Sequence, residues 1–228
     1  MDKLGVNQRD QKKRQFVNRL SGEITRRGII DVLRNGIKAY PADLILFYFT
    51  PTENNEQAKR LFDKNIFSVT RQLRYAIDAS KLALDLCLFI NGLPVITIEL
   101  KNHFTGQTTA DAVEQYKKDS NPRELLCSFK RCIVHFAVDD QTIQFCTKLC
   151  GKASWFLPFN KGYHDGAGNP PNPEGIMTDY LWKDILTKTK LSRIIENYVQ
   201  VVVEENPETR KKSVKQIWPR YHQLDCVE

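Results

Sequence analysis

Two apolar runs joined by Asn91-Gly92 constrain the fold of this chain more than any other feature of its sequence. The runs span residues 82–90 and 93–100, and each is long enough for a β-strand. Asn-Gly is a strong hairpin signal because both residues tolerate the positive φ that a tight turn between strands requires. We therefore predict a β-hairpin at the centre of the chain.

Three ionisable residues interrupt this apolar hairpin. Asp85 lies inside the first run, and Glu99 and Lys101 lie at the far end of the second. Burying a single charge in a strand costs several kcal/mol unless a partner neutralises it. The sequence therefore predicts that the three groups neutralise one another or share a metal ion.

The geometry of the hairpin decides whether the three charges can meet. Glu99 and Lys101 are two residues apart, so their side chains point to the same face of a strand. A plain two-residue turn would pair residue 85 with 98 and direct Asp85 to the opposite face. We predict a three-residue loop at 90–92, which pairs 89 with 93 and 85 with 97, or an equivalent bulge near Pro94. Either arrangement brings the three charges to one side.

This trio suits a hydrolytic metal site. Two carboxylates and the backbone carbonyl of Leu100 offer the hard oxygen ligands that Mg²⁺ prefers. A water bound to such a cation loses a proton more easily. Lys101 can orient that water or neutralise charge that develops in a transition state. The alternative is a structural ion pair of Asp85 or Glu99 with Lys101 at the end of the sheet.

The rest of the chain predicts an α/β fold, with a central mixed sheet of four or five strands flanked by helices. Thr108 and Asp111 resemble a capping box at the start of a helix. Four glycines and three prolines predict a long irregular loop at 160–175. Residues 67–75 favour neither helix nor strand. The other predicted elements are a helical region over 16–37, which Gly22 and Gly28 can divide into two helices, and a short helix or loop over 54–62. Further helices are predicted over 108–118 and 179–203, strands over 43–49, 132–138 and 142–149, and a charged linker over 204–215.

Composition narrows the function classes. Of the 228 residues, 41% are apolar, which is enough for a core and excludes wholesale disorder. The net charge of +7 suits a polyanionic partner such as nucleic acid. No apolar stretch approaches the roughly 18 residues of a membrane span, so no membrane partner is expected. Most of the six cysteines lie in apolar runs, which is typical of reduced thiols in a cytoplasmic protein.

An Asp followed by Glu-x-Lys on a hairpin resembles the PD-(D/E)xK nuclease superfamily. The flanking sequences LDLCLFINGLPVITIELKNHFTGQTTADAVEQYKKD, FKRCIVHFAVDD and TKLCGKASWFLPFNKG resemble the R subunit of type I restriction–modification enzymes. The resemblance implies that Asp85 and Glu99 bind the metal and that Lys101 is the catalytic lysine. It also implies a catalytic role for Gln115, since this group carries a glutamine on the following helix. A tyrosine usually follows after three residues, where this chain has Asp119.

The function that the resemblance implies is a metal-dependent endonuclease acting on double-stranded DNA with Mg²⁺, or with Mn²⁺ in its place. In that family cutting follows ATP-driven translocation by a motor domain and needs modification (methyltransferase) and specificity subunits. ATP is then a cofactor of the full-length enzyme only. Arg71 and Arg74 are weaker candidates for contacts with DNA phosphates. The alternative function is a non-catalytic module that holds DNA or docks subunits.

The resemblance also divides the chain. Residues 1–203 correspond to the nuclease domain, with its core at about 43–150. Residues 204–228 correspond to a linker and the truncated start of the helicase-like motor, which is otherwise absent from this chain. In that short segment Gln223 matches a glutamine that binds the adenine of the nucleotide.

Overall fold

A six-stranded mixed β-sheet forms the centre of the fold. The computed structural model describes residues 10–76, 82–164 and 166–227. Its strands are β1 (Ile37–Ala39), β2 (Ala42–Leu44), β3 (Phe67–Arg74), β4 (Ala83–Ile90), β5 (Leu93–Leu100), β6 (Val134–Val138), β7 (Ile143–Cys146), β8 (Leu157–Pro158), β9 (Gln200–Glu205) and β10 (Lys212–Ile217). The sheet has the order β3-β4-β5-β6-β7-β8, and only β5 and β6 are parallel.

Helices pack around this sheet, which confirms the predicted α/β class. The α-helices are α1 (Asp10–Arg27), α2 (Ile29–Asn35), α3 (Glu56–Phe62), α4 (Thr109–Asp119), α5 (Lys188–Arg193) and α6 (Tyr221–Asp225). A 3-10 turn spans His103–Thr105, and π-helical turns span Leu181–Ile185 and Ile194–Tyr198. Among the described residues, no helix combines the length and apolar character that crossing a bilayer requires.

The central hairpin of β4 and β5 combines a tight turn with a bulge. The turn is the two-residue Asn91-Gly92, with φ of 51° and 81°, so the predicted three-residue loop is wrong. Residue 89 pairs with Pro94, but Leu88 pairs with Ile96, which leaves one extra residue on β5. This confirms the alternative prediction of a bulge near Pro94. The register beyond the bulge places residue 85 opposite 99 rather than opposite 97.

Helix α4 connects the parallel strands β5 and β6 and packs against the sheet. Parallel neighbours need such a crossover because a tight turn cannot join them. Thr108 and Asp111 form the predicted capping box at its N-terminus. Ala112, Val113 and Tyr116 are its buried apolar side chains. The exposed flank of the same helix carries Gln115 beside the end of β5.

The strand predicted over 43–49 is largely wrong, since only β2 forms there. Side-chain amides replace the neighbouring strand as hydrogen-bond partners. The Asn65 amide donates to the carbonyl of Tyr48 at 2.7 Å and accepts from its N–H at 3.0 Å. The Asn91 amide donates to the carbonyl of Leu46 at 2.8 Å. The backbone groups of Tyr48 and the carbonyl of Leu46 are therefore satisfied without a sheet ladder.

The structure divides the N-terminal helical region into two helices and makes residues 67–74 a strand. Helices α1 and α2 meet at Gly28, whose φ of 89° ends the first helix. Residues 67–74, which the sequence left ambiguous, form edge strand β3, paired with β4. Strand β3 therefore lies directly beside the strand that carries Asp85.

The C-terminal quarter differs most from the prediction. Helical turns end at Tyr198, and β9 and β10 form an antiparallel hairpin where the end of a helix and a linker over 204–215 were expected. Three consecutive valines at 201–203 explain this, because β-branched residues favour strands. The predicted domain boundary near residue 203 stays a prediction.

Residues beyond that hairpin pack onto the central sheet. Trp218 is only 2% exposed and lies against Phe136 and Phe159, with ring centroids 5.7 and 6.5 Å apart. The Gln216 amide donates to the two consecutive carbonyls just before β6, at 2.8 and 2.7 Å. These residues therefore belong to the same hydrophobic core as the sheet.

Candidate metal centre

The residues predicted to carry the chemistry gather at the end of β4 and β5 farthest from the turn. Asp85, Glu99 and Gln115 line one cavity of about 240 Å³. Lys101 belongs to the same group because its Nζ donates a hydrogen bond to Gln115 Oε1 at 2.6 Å. The bulge makes this possible, since the register beyond it sets positions 85 and 99 opposite each other.

Glu99 is a buried acid with an unsatisfied oxygen. Its residue is 2% exposed, and Oε2 has no hydrogen-bond partner among the described residues. Burial raises the pKa of Glu99 to about 9, and the charge of Asp85 adds to the increase while that of Lys101 opposes it. An ionised carboxylate here needs a cation. The donor set of Asp85 and Glu99 therefore fits a divalent metal ion.

Lys101 is held by a neutral amide rather than by a carboxylate. No described carboxylate forms an ion pair with it. The predicted alternative, a structural ion pair of Asp85 or Glu99 with Lys101, is therefore wrong for the described residues. Gln115 reaches Lys101 from α4, whose position is fixed by its buried face. The positive charge remains available to an anionic ligand.

Both carboxylate oxygens of Asp85 accept hydrogen bonds. Oδ2 accepts from the backbone N–H of Leu100 at 2.9 Å, and Oδ1 accepts from Gln72 Nε2 at 2.8 Å. Sequence reasoning missed Gln72, because only the pairing of β3 with β4 brings it to Asp85. The only sequence signal for Gln72 was its polar side chain in the segment just before the strand that carries Asp85. The predicted role of the Leu100 carbonyl stays a prediction.

Three buried polar residues link α4 to the sheet beside the site. Tyr116 is 1% exposed, and its hydroxyl lies 2.9 Å from Thr97 Oγ1, which also lies 2.7 Å from His135 Nδ1. Burial lowers the pKa of His135 to about 3, so it is a neutral packing residue. This network holds α4 against β5 and β6. Tyr116 therefore belongs to the core and does not line the cavity.

Other predicted site residues lie elsewhere. Arg71 and Arg74 are exposed on β3, and Arg74 lines an apolar groove against α1 rather than the acid-lined cavity. The Gln223 side-chain oxygen accepts from the N–H of Arg220 at 2.8 Å and caps α6. The predicted nucleotide contact of Gln223 and the DNA contacts of the arginines stay predictions.

A second group of possible metal ligands lies just beyond Lys101. Ligand atoms of His103, Asp139 and Asp140 lie within 4.8 Å of one another, so this group could hold a metal. His103 Nδ1 already contacts Asp140, which raises the pKa of His103. Asp139 accepts hydrogen bonds from Thr109 and Thr142, so its oxygens hold a turn and the start of α4. By contrast, Oε2 of Glu99 has no hydrogen-bond partner in the described part of the chain, which favours the first site.

Comparison with known proteins assigns the family. A family model described as the type I restriction enzyme R protein N terminus matches residues 8–153, more than half of the chain. The matched region contains the central hairpin, α4 and strands β6 and β7. A search of curated proteins finds no match. The chain belongs to the family of type I restriction enzyme R protein N-terminal domains.

Proposed function

We propose that this domain is the endonuclease of a type I restriction enzyme R subunit and hydrolyses phosphodiesters of double-stranded DNA. The observation that carries the proposal is Glu99, a buried acid with one oxygen that has no hydrogen-bond partner among the described residues. It lies beside Asp85 and Gln115 in one cavity, and Lys101 donates a hydrogen bond to Gln115. Most buried acids in a purely structural role have a hydrogen-bond partner for each oxygen. Buried acids with strongly shifted pKa values cluster at functional sites.

Asp85 and Glu99, with the carbonyl of Leu100, are the residues that would hold Mg²⁺, or Mn²⁺ in its place. All three offer oxygen donors, which suits these hard cations. When bound, such a cation supplies a water of lowered pKa and positive charge for the developing oxyanion. Glu99 must first release its proton, so cation binding and deprotonation are linked.

Lys101 and Gln115 supply the other half of the site. The Lys101 ammonium is directed by the neutral Gln115 amide, so its charge can stabilise a phosphate oxygen or orient the attacking water. The net charge of +7 favours the approach of DNA without reading its sequence. Sequence recognition is then left to a specificity subunit.

In the full-length enzyme, cutting would follow ATP-driven translocation and would need modification and specificity subunits. The proposed place of action is the cytoplasm. ATP would bind to the motor domain rather than to this nuclease domain.

The test uses the full-length enzyme with its partner subunits. Asp85→Asn, Glu99→Gln and Lys101→Met should each reduce DNA cleavage at least 100-fold and leave ATP hydrolysis unchanged, because they remove metal ligands or a transition-state charge. Matched controls are the exposed Glu114→Gln and Lys118→Met on α4, which should cut like the wild type.

A binding measurement on the 228-residue chain separates this proposal from the alternative of a docking module. Calorimetric titration with Mn²⁺ should give one binding event in the wild type and none in Asp85→Asn. Equal titrations of the two proteins would contradict the proposal. So would variants that lose complex assembly but still cut DNA in the complexes that form.

The Lys101–Gln115 contact makes a separate prediction. Gln115→Ala should lower the cleavage rate about tenfold to 100-fold, because the lysine loses the partner that directs it. Mn²⁺ affinity should stay at the wild-type value, since Gln115 is not a metal ligand in this proposal. The neighbouring Glu114→Ala is the control. Loss of Mn²⁺ binding in Gln115→Ala would show that this division of roles is wrong.

A further inference from the structure

We propose that Gln72 is a positioning residue that fixes the Asp85 carboxylate for cation binding. The inference rests on the proposed function and deepens it. Gln72 lies on edge strand β3 and lines the same cavity of about 240 Å³ as Asp85 and Glu99. It is not among the acid, lysine and glutamine positions that the sequence motif supplies.

The backbone at Gln72 is irregular. Regular pairing of β3 with β4 is present at Arg71 with Leu86 and at Leu73 with Leu84, but the ladder omits Gln72 and its neighbour across the strand, Asp85. Gln72 has a φ of 50°, in the left-handed region that non-glycine residues seldom adopt. Of the six described non-glycine residues with positive φ, only Gln72 lies inside a strand.

This conformation brings the side chain to Asp85. Gln72 Nε2 donates to Asp85 Oδ1 at 2.8 Å, while the N–H of Leu100 donates to Oδ2 at 2.9 Å. A carboxylate oxygen has two acceptor positions, so each oxygen keeps one for a cation. With donors on both oxygens, the carboxylate cannot rotate about its last bond without losing a hydrogen bond. Gln72 thus holds a ligand in orientation before the cation arrives.

Strain and contact at Gln72 point to the same role. Glycine would adopt this φ without the steric conflict of a Cβ atom, so the glutamine side chain has a conformational cost. Its amide contact with Asp85 offsets that cost. Strained residues of this kind concentrate at functional sites, where the surrounding structure holds them. The unusual backbone conformation of Gln72 therefore serves to orient the Asp85 carboxylate.

The test compares three variants of the 228-residue chain. Gln72→Gly removes the amide and relieves the strain. Gln72→Asn keeps an amide and tolerates positive φ, but its side chain is one methylene too short to reach Asp85. Thr70→Gly is the matched control for a glycine in β3, at an exposed position paired with Cys87. The readouts are Mn²⁺ affinity by calorimetry and the unfolding midpoint in EDTA.

We expect Gln72→Gly and Gln72→Asn to bind Mn²⁺ 10- to 100-fold more weakly, the range typical of lost ligand-supporting contacts. The unfolding midpoint of Gln72→Gly in EDTA should equal or exceed that of the wild type. Thr70→Gly should lower the midpoint and leave Mn²⁺ affinity unchanged. A purely structural glutamine predicts the reverse for Gln72→Gly, namely a lower midpoint with unchanged affinity, and that result would overturn the inference.

Asp85→Asn separates the two possible failures. If Asp85→Asn loses Mn²⁺ binding while Gln72→Gly retains it, the metal site stands and the role of Gln72 is wrong. If the wild type and Asp85→Asn titrate alike, the metal site itself is wrong and the inference falls with it.

Discussion

Glu99 is a residue whose folded environment opposes its ionised form. The unfolded chain releases this proton near the ordinary pKa of 4.5, whereas the folded protein without metal holds it up to about pH 9. The folded state therefore binds more protons than the unfolded state between these two values. The contribution of Glu99 to the free energy of unfolding must therefore fall as the pH rises from about 4.5 to 9. This cost agrees with the metal-binding role proposed for Glu99, because a bound cation would favour the ionised form.

Glu99→Gln should remove this pH-dependent cost, because an amide does not ionise. At pH 8, which is 3.5 pH units above 4.5, a cost of about 1.4 kcal/mol per unit should make the variant more stable than the wild type in EDTA by roughly 5 kcal/mol. The unfolding midpoint should rise by about 10–20 °C. At pH 4.5 the two proteins should unfold together. The measurement is thermal unfolding followed by circular dichroism.

The exposed Glu114→Gln is the control, and it should show no pH-dependent difference from the wild type. Addition of Mn²⁺ at pH 8 should raise the midpoint of the wild type and not that of Glu99→Gln. A stability difference of the same size at both pH values would show that Glu99 is not protonated in the folded, metal-free protein.

At the scale of elements, the β4–β5 hairpin depends on its turn. Asn91 and Gly92 both have positive φ, and Asn91 also hydrogen-bonds Leu46, Asn65 and Ile66. The turn therefore joins the hairpin to the segment before β3, besides connecting its two strands. An asparagine suits both tasks, since it tolerates this backbone and carries a donor and an acceptor.

Two glycine substitutions should have opposite effects on stability. A Cβ atom added at Gly92 or at Gly22 meets nothing within 4 Å, so sterics with neighbours play no part. Gly92→Ala should destabilise by about 1 kcal/mol, because alanine disfavours a φ of 81°. Gly22→Ala, inside α1, should stabilise by about 0.5–1 kcal/mol.

Urea unfolding of both variants measures these differences. If Gly92→Ala is as stable as the wild type, the turn does not need its left-handed backbone and the hairpin geometry described above is wrong. Gly22→Ala serves as its internal control, since both changes add the same methyl group.

Much of the central unit could be predicted because its signals are local. Alternating and continuous apolar runs, Asn91-Gly92 and the capping box at Thr108 each act within a few residues. Asp85 and Glu99 could lie on the same face of the hairpin only with a bulge or with a loop of three residues, and the structure has the bulge. What could not be predicted depends on pairing between distant segments. Gln72 reaches Asp85 only through the β3–β4 register, and the amides that replace a strand near Tyr48 come from positions 65 and 91.

At the scale of the whole molecule, the C-terminal segment completes the core. Trp218 fills a site against Phe136 and Phe159, and Leu224 is buried nearby. The sequence did not predict that this segment is buried. The charged residues at 204–215 suggested a linker, and the few aromatic residues after it show neither helical nor strand periodicity. The expected linker is instead the exposed β9–β10 hairpin that leads to a buried tryptophan.

Trp218→Ala should therefore destabilise the chain by about 3–5 kcal/mol, as expected when a large buried side chain is removed. Trp155, which is 75% exposed, offers the matched control, and Trp155→Ala should change stability by less than about 0.5 kcal/mol. Chemical denaturation of the two variants makes the comparison. Equal, small effects would mean that the C-terminal segment is only loosely attached to the sheet.

The attachment of Gln216 to the backbone just before β6 has a mechanical consequence. Tension applied to the last residues of the chain would be carried first by the buried Leu224 and Trp218, and then by the two amide hydrogen bonds of Gln216. That load would pass into β6, which lies beside β5, the strand that ends in Glu99 and Lys101. A machine that pulls on this end of the domain would therefore strain the strand next to the acids, rather than a remote part of the surface.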